Sequence, residues 1–368
     1  MGPAEHGAAS EPEHGAQRRP DRADSCSGGE RTPEHESADD ATREPEHAPG
    51  HTEEPTAGPS AARPAPPAAE GARHSQGEVG RARTRDGREL YYQWLPGPAE
   101  AGAAPPTVVF EGGLAAGRSY WAGVQAALAG AAPTVVYDRS GLGRSPAAPA
   151  GASRRLAALA EDLGALLDHL DRVGPGGPYL LVGHSWGGPL VRLAAAAQPA
   201  RVAGLVLVDP SDESCELLFQ PSMRRVERIG QLATVALARL GLLGRAYRSL
   251  TASLPPDAAA DMRAEGFTVA MTRTRGRELE DAAGDLRALV EKPPGLAGLP
   301  VTVVSAGRVS PGMPASARER ATASHAYRAR QSPHGRHVVL PEADHMVLTT
   351  SPAELAEEIR RMLRPDAD

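Results

Sequence analysis

Short, largely apolar runs recur through the last three quarters of the chain, and between them leucines fall at helical spacing. The runs at 108–110, 134–137, 179–182, 205–208, 301–305 and 338–340 have the length and character of strands in a sheet buried on both faces. Ahead of them, residues 84–94 place Asp86-Gly87 before an alternating segment, which predicts a hairpin at the antiparallel edge of that sheet. Leu156, Leu159, Leu163, Leu166, Leu167 and Leu170 form one helical stripe, and Trp121, Val124 and Leu128 a shorter one. Ser351-Pro352-Ala353-Glu354 reads as a capping box with proline at the first helical position, opening a helix whose Leu355, Ile359, Met362 and Leu363 face inward. Strand alternating with helix predicts an α/β fold built on a mostly parallel, doubly wound sheet.

From about residue 212 to 298 the alternation stops. Val226, Ile229, Ala233, Leu237 and Leu240 share a helical face, Pro255-Pro256 follows, and a second helical run covers 258–271. This predicts an all-helical insertion after the sixth strand. Its apolar face is expected either to roof a pocket or to pack on the core.

Composition changes abruptly near residue 80. Before Val79 there is no Leu, Ile, Val, Phe, Tyr or Trp, and such a segment cannot bury enough apolar surface to offset the entropy of ordering. Residues 1–82 are therefore expected to form a disordered tail, and 83–368 the folded domain. The tail holds sixteen Asp and Glu against eight Arg, a net −8, which leaves +2 for the rest of a chain whose total is −6. A nearly neutral body gives no support to nucleic-acid binding. The repeats Pro12-Glu13-His14, Pro33-Glu34-His35 and Pro45-Glu46-His47 are too widely spaced to hold a metal without a fold, so no metal site is expected. A start codon further downstream would account for the tail as well as any function does.

The longest uncharged windows, 119–137 and 173–191, are broken by Gly, Pro and polar residues, so no membrane insertion is expected. The N-terminus lacks the apolar core of a secretory signal. Cys26 lies in the tail and Cys215 just past a predicted strand, so no structural disulfide is expected, which points to the cytoplasm. Thirty-nine Arg against the single Lys292 reads as coding bias in a GC-rich genome. Nothing in the chain speaks to oligomeric state.

The chemistry begins at Gly183-His184-Ser185-Trp186-Gly187, which lies between the strand run 179–182 and the helical run 189–193. Glycines at both ends allow a sharp strand-to-helix turn that lifts the Ser185 hydroxyl above the sheet, over a helix N-terminus suited to an anion. A serine is a poor nucleophile at neutral pH and needs a base. His345, on a loop between a predicted strand and a capped helix, is the candidate. His184 is expected to point away and pack, and His325, His334 and His337 to be solvated.

Four segments in this order resemble the α/β-hydrolase superfamily of serine hydrolases, from about Arg83 to the C-terminus. They are the elbow, Phe110-Glu111-Gly112-Gly113-Leu114 after a strand, Asp138-Arg139-Ser140-Gly141-Leu142-Gly143-Arg144-Ser145 after the next, and Asp344-His345-Met346 near the end. The resemblance implies an α/β-hydrolase sheet with the insertion as a helical cap. It further implies that Ser185 is the nucleophile, that His345 is its base, and that the backbone N–H groups of Gly113 and Trp186 form the oxyanion hole.

Two departures stand out. The family's usual acid position, after the seventh strand, reads Ser305-Ala306-Gly307-Arg308-Val309-Ser310-Pro311 and has no carboxylate. Some relatives carry the acid after the sixth strand, which implies Asp209 here, with Asp212 and Glu213 as alternatives. Glu111 stands where a His-Gly pair usually begins, and its role is open between backbone and Arg partners. Asp138 and Arg139 are expected to fix the glycine-rich loop, because the rest of a nucleotide fingerprint is missing.

The implied function is a cofactor-independent serine hydrolase that cleaves an ester-type bond of a small, largely apolar substrate through an acyl-enzyme. Acyl transfer, or thioester, lactone or C–C hydrolysis, are alternatives on the same fold. A catalytically silent, ligand-binding version of the fold is the alternative of another class.

Overall fold

A computed structural model describes residues 73–99, 104–296, 298–310 and 313–364; the expected tail, as far as residue 72, lies outside them. The strands are β1 (Glu78–Arg83), β2 (Glu89–Leu95), β3 (Thr107–Glu111), β4 (Thr134–Tyr137), β5 (Tyr179–His184), β6 (Val202–Val208), β7 (Val301–Ala306) and β8 (Gly335–Leu340). They form one sheet in the order β1-β2-β4-β3-β5-β6-β7-β8. β1 and β2 run antiparallel at one edge, and all pairs from β4 to β8 are parallel.

Alternate strand residues point to opposite faces, and both faces are covered, which is why the runs read as unbroken apolar stretches. Val109, Val135, Leu181, Leu205 and Val303 meet the leucine stripe of α2 (Leu156–Val173) and Leu190 and Val191 of α3 (Gly187–Ala197). On the other face Val108, Phe110, Val136, Val182 and Val206 meet Trp121, Val124 and Leu128, which lie in and beside α1 (Ala122–Ala127). The same core takes Val347 and Leu348 of α10 (Val347–Thr350) and Leu355 and Ile359 of α11 (Pro352–Met362). Ser351 makes no side-chain capping bond, so the expected capping box does not form. Pro352 at the first position, where a missing N–H costs nothing, is enough to start α11.

The chain passes from β3 to β4 in one direction and then returns to the other side of β3 to lay down β5. A crevice opens at the carboxyl ends of strands where the order reverses in this way. Glu111 and His184 end β3 and β5 side by side, with Glu111 opposite Gly183.

The boundary expected at residue 82 falls too late. β1 starts at Glu78 and pairs residue for residue with β2, from Glu78 opposite Trp94 to Arg83 opposite Glu89. Just before it, Gln76 is buried and its amide donates to Arg118 O (3.1 Å), while Ser75 gives both its N–H and its hydroxyl to Asp257 (2.6 Å each). Backbone pairing and polar anchors hold this segment, so its lack of apolar side chains did not mark it as part of the fold.

Between β6 and β7 the described residues form helices joined by short loops and turns. A 3-10 turn at Glu216–Phe219 leads into α4 (Pro221–Arg239), α5 (Leu243–Ala246), α6 (Pro256–Glu265), α7 (Val269–Leu279) and α8 (Ala282–Glu291). The second run, expected over 258–271, is two helices that break at Gly266. Ion pairs fasten the insertion to the loops above β3 and β4. Asp261 and Glu265 of α6 bind Arg118 and Arg144, and Glu278 of α7 binds Arg139 and Arg154.

The stripe of α4 neither roofs a pocket nor packs on the core. Val226, Ile229 and Leu240 are exposed, and only Leu237 turns inward, toward a small cluster with Ala115, Leu142, Leu243 and Met271. The polar side of α4 faces the body instead, where Gln231 donates to Thr272 O (2.8 Å) and accepts from Arg275. A polar helix face made of hydrogen-bonding groups can be satisfied against another helix, which reverses the usual orientation.

Candidate active site

The turn after β5 places Ser185 at φ 51°, a left-handed conformation that costs a non-glycine residue on the order of 1–3 kcal/mol. The surroundings enforce it. Ser185 N–H donates to Val208 O (3.0 Å), and its carbonyl accepts from Gly188 N–H (3.0 Å) and Ser211 N–H (2.9 Å). A side chain at Gly187 would strike the backbone oxygen of Glu111 at 2.6 Å, and one at Gly183 would strike Gly187 O. Both glycines are thus required by close packing of β3, β5 and α3.

His345 follows β8 on a loop that returns over the strand ends. Its Nε2 lies 3.2 Å from Ser185 Oγ and its Nδ1 2.7 Å from Asp209 Oδ2. Asp209 directly follows β6 at φ 42°, and its N–H donates to Val304 O (2.7 Å). Its Oδ1 accepts from Ala306 N–H (3.0 Å) and its Oδ2 from Arg318 Nη1 (2.8 Å). Burial raises the pKa of this carboxyl, but the bonds from His345 and Arg318 outweigh it and hold Asp209 well below the usual carboxylate range. The carboxylate is therefore charged when the imidazole needs a counter-ion.

Gly113 adjoins Ser185: a Cβ on it would sit 3.2 Å from Ser185 Cβ. Arg139 holds this turn from the opposite side, donating to Gly112 O (2.8 Å) and Gly113 O (2.7 Å). Because a trans peptide sets its C=O and N–H in opposite directions, the bond to Gly112 O aims the Gly113 N–H away from Arg139.

The model of the α/β hydrolase fold family matches residues 106–234, the stretch that carries β3 through the elbow and into α4. A lipase of Mycobacterium tuberculosis, LipV, is 47% identical over 70 residues, 19% of this chain and about a quarter (24%) of that enzyme's length. Among solved structures, a thermophilic esterase of Thermogutta terrifontis with malate bound is similar over 78% of this chain and 99% of its own, at 21% identity and TM-score 0.55. A hydrolase of Pseudomonas aeruginosa is similar over the same shares, at 23% identity and TM-score 0.55. The chain has the α/β-hydrolase fold.

Within this α/β-hydrolase fold, Ala306 and Ser310 bond to Asp209 and His345. Ala306 N–H binds Asp209, and Ser310 Oγ accepts from His345 N–H (3.3 Å). Asp212 and Glu213, the alternative acids, lie elsewhere. They form a buried cluster in which Arg328 binds both (2.6 Å each) and Arg192 grips Glu213 with two bonds of 2.7 Å.

Glu111, where the superfamily's histidine usually stands, accepts from Tyr137 Oη and Arg139. Burial pushes its pKa up against the pull of Arg139 and Tyr137. Arg139 also binds Glu278 of α7 (2.8 and 3.0 Å), and Glu278 accepts from Ala115 N–H (3.0 Å). One buried network thus ties the cap helix α7 to the turn that carries Gly113. Asp138 fixes the glycine-rich loop as expected, accepting from the N–H of Arg118 (2.8 Å) and of Arg144 (3.0 Å).

His184 does not simply pack away from the site. Its Nε2 donates to the carbonyl of His345 (2.8 Å), and the two rings lie 4.9 Å apart. Burial, with the neighbouring His345, pushes its pKa down to about 3, so it stays neutral and positions the His345 backbone. His325 is also not solvated: it is buried in α9 (Ala315–Arg330), bonded to Ser305 Oγ (2.7 Å) and Pro210 O (2.9 Å). His337 shares Ser305 Oγ (2.9 Å), and His334 is exposed. Arg318 and Glu278 escaped the sequence reading altogether. Each is one charge on a polar helix, far along the chain from the motif it serves.

Proposed function

We propose that the protein is a serine hydrolase that cleaves an ester-type bond of a small, largely apolar substrate through an acyl-enzyme. The observation that carries this reading is the unbroken path from Asp209 through His345 to Ser185, with links of 2.7 and 3.2 Å. Ser185 Oγ attacks the substrate carbonyl while His345 Nε2 takes its proton, and Asp209 stabilises the imidazolium and fixes its tautomer. The N–H groups of Gly113 and Trp186 receive the charge that develops on the carbonyl oxygen. Collapse of the tetrahedral intermediate releases the alcohol, which leaves with the proton from His345. Water then enters as the second nucleophile, gives a proton to His345, and frees the acid and the Ser185 hydroxyl.

An apolar substrate fits the partly buried hydrophobics that the cap and the turn after β3 contribute. Leu114, Leu218, Phe219 and Leu279 are partly buried hydrophobics packed on the cluster that contains Trp186. A serine at the elbow disfavours the epoxide and haloalkane chemistry that uses an aspartate nucleophile in this superfamily. The silent-fold alternative drew on the missing acid after Gly307; it weakens because Asp209 makes the bond to His345 that such an acid would make.

The test is labelling with a fluorophosphonate. Wild type is expected to label stoichiometrically at Ser185, and Ser185→Ala not at all with its thermal midpoint retained. A folded wild-type protein that stays unlabelled would refute the hydrolase reading.

A further inference from the structure

The outward face of α4 is apolar and bordered by unpaired cations. Val226, Ile229, Leu232 and Leu240 are 64, 66, 65 and 69% exposed, and with exposed Ala233 and Ala236 they recur at three- and four-residue steps along one side of the helix. Arg225, Arg228 and Arg239 are exposed on the same side. The only acidic side chain in α4, Glu227, is turned from this face and paired with Arg224 (3.0 Å). Among the described residues Arg225, Arg228 and Arg239 have no carboxylate partner. Beyond the helix, Leu242 and Tyr247 are exposed in a stretch that also exposes Arg245 and Arg248.

We infer that this face of α4 docks the protein on an anionic lipid surface. A helix of low overall hydrophobicity with one apolar face and arginines beside it lies in the interfacial plane, burying the apolar side chains at the acyl boundary and setting the cations among the headgroups. Arginine stems of this length reach back to the headgroup level while their methylenes stay in apolar surroundings. No helix among the described residues is long and apolar enough to cross a membrane, so the contact is peripheral. Charge decides against the other occupants. Two copies meeting face to face through α4 would oppose their arginines with no acid between them. The acidic N-terminal residues of this chain could answer the arginines, but before Val79 they include no Leu, Ile, Val, Phe, Tyr or Trp to cover the leucines and isoleucine. The inference stands independently of the proposed chemistry.

The experiment is co-sedimentation of the full chain with phosphatidylcholine vesicles, with and without phosphatidylglycerol, run for wild type and for Ser185→Ala. Both are expected to pellet with the anionic vesicles, to pellet poorly with the neutral ones, and to be released by high salt. Replacing Arg225, Arg228 and Arg239 by Gln should weaken vesicle binding about fivefold for each, on the order of a hundredfold together. Ile229→Glu with Leu232→Glu should abolish it. These exposed substitutions are expected to leave the thermal midpoint and fluorophosphonate labelling unchanged, which separates loss of docking from loss of fold. Failure to pellet with anionic vesicles, or equal pelleting of the Ile229→Glu, Leu232→Glu variant, would overturn the proposal. A concentration-dependent dimer in sedimentation velocity, lost in that variant, would assign the face to a second copy. Amide exchange across α4 that is already slow in the free chain and unaltered by vesicles would assign it to the N-terminal segment.

Discussion

Asp209→Asn is expected to lower kcat on a small activated ester by about four orders of magnitude at neutral pH, the scale on which a triad loses its acid. An amide cannot balance the imidazolium, and its N–H directed at His345 Nδ1 would favour the tautomer whose Nε2 already carries a proton. Arg318, left without its carboxylate, would add a second positive charge beside the ring. The control is Asp212→Asn. Asp212 binds Arg328 at 2.6 Å in a buried cluster, so this change should lower the thermal midpoint while kcat measured below that midpoint stays near wild type. Near-normal turnover in Asp209→Asn, with activity abolished by Asp212→Asn or Glu213→Gln, would show that the acid is misassigned. Loss in none of the three would leave a Ser–His dyad.

The sign of the Asp209 shift sets a second expectation. A carboxyl whose folded pKa lies below its unfolded value of about 3.9 stabilises the fold at higher pH, and that contribution is lost as pH falls through the folded value. Asp209 is such a group. Its share of stability should be intact at neutral and mildly acidic pH, and Asp209 should contribute no acid limb to the activity profile above about pH 4.

Arg139→Met is expected to destabilise the protein by about 3–5 kcal/mol, because it leaves Glu111 buried without a cation and Glu278 with Arg154 alone. Glu111 and Glu278 would both lose their shared cation, and the carbonyls of Gly112 and Gly113 would lose their donor. The thermal midpoint should fall on the order of ten degrees. Turnover below the midpoint should fall as well, in kcat more than in KM, because the turn carrying the Gly113 N–H is no longer held. Glu278→Gln is the milder probe: an amide can still accept from Ala115 N–H, so a smaller loss of stability is expected. A wild-type midpoint in Arg139→Met would mean that the network does not hold the turn in place.

The sequence by itself determined the sheet, its covering helices and the elbow. Strands buried on both faces must be apolar runs, and β3, β5 and β7 differ from their runs by no more than two residues at either end. The elbow is equally local: two glycines and a serine between a strand and a helix state the turn within five residues. Only the tertiary structure decided the rest. The loop 305–311 without a carboxylate left three acids open, and the choice of Asp209 depends on where β6 ends relative to a histidine 136 residues later. The pairing of Glu278 with Arg139 spans 139 residues and involves single charges, which leave no periodic trace in the chain. The stripe of α4 shows the limit of periodicity most directly. Spacing states that one face of a helix is apolar, but which face meets the protein depends on what the neighbouring helix offers, and here α7 offers hydrogen bonds to the polar side.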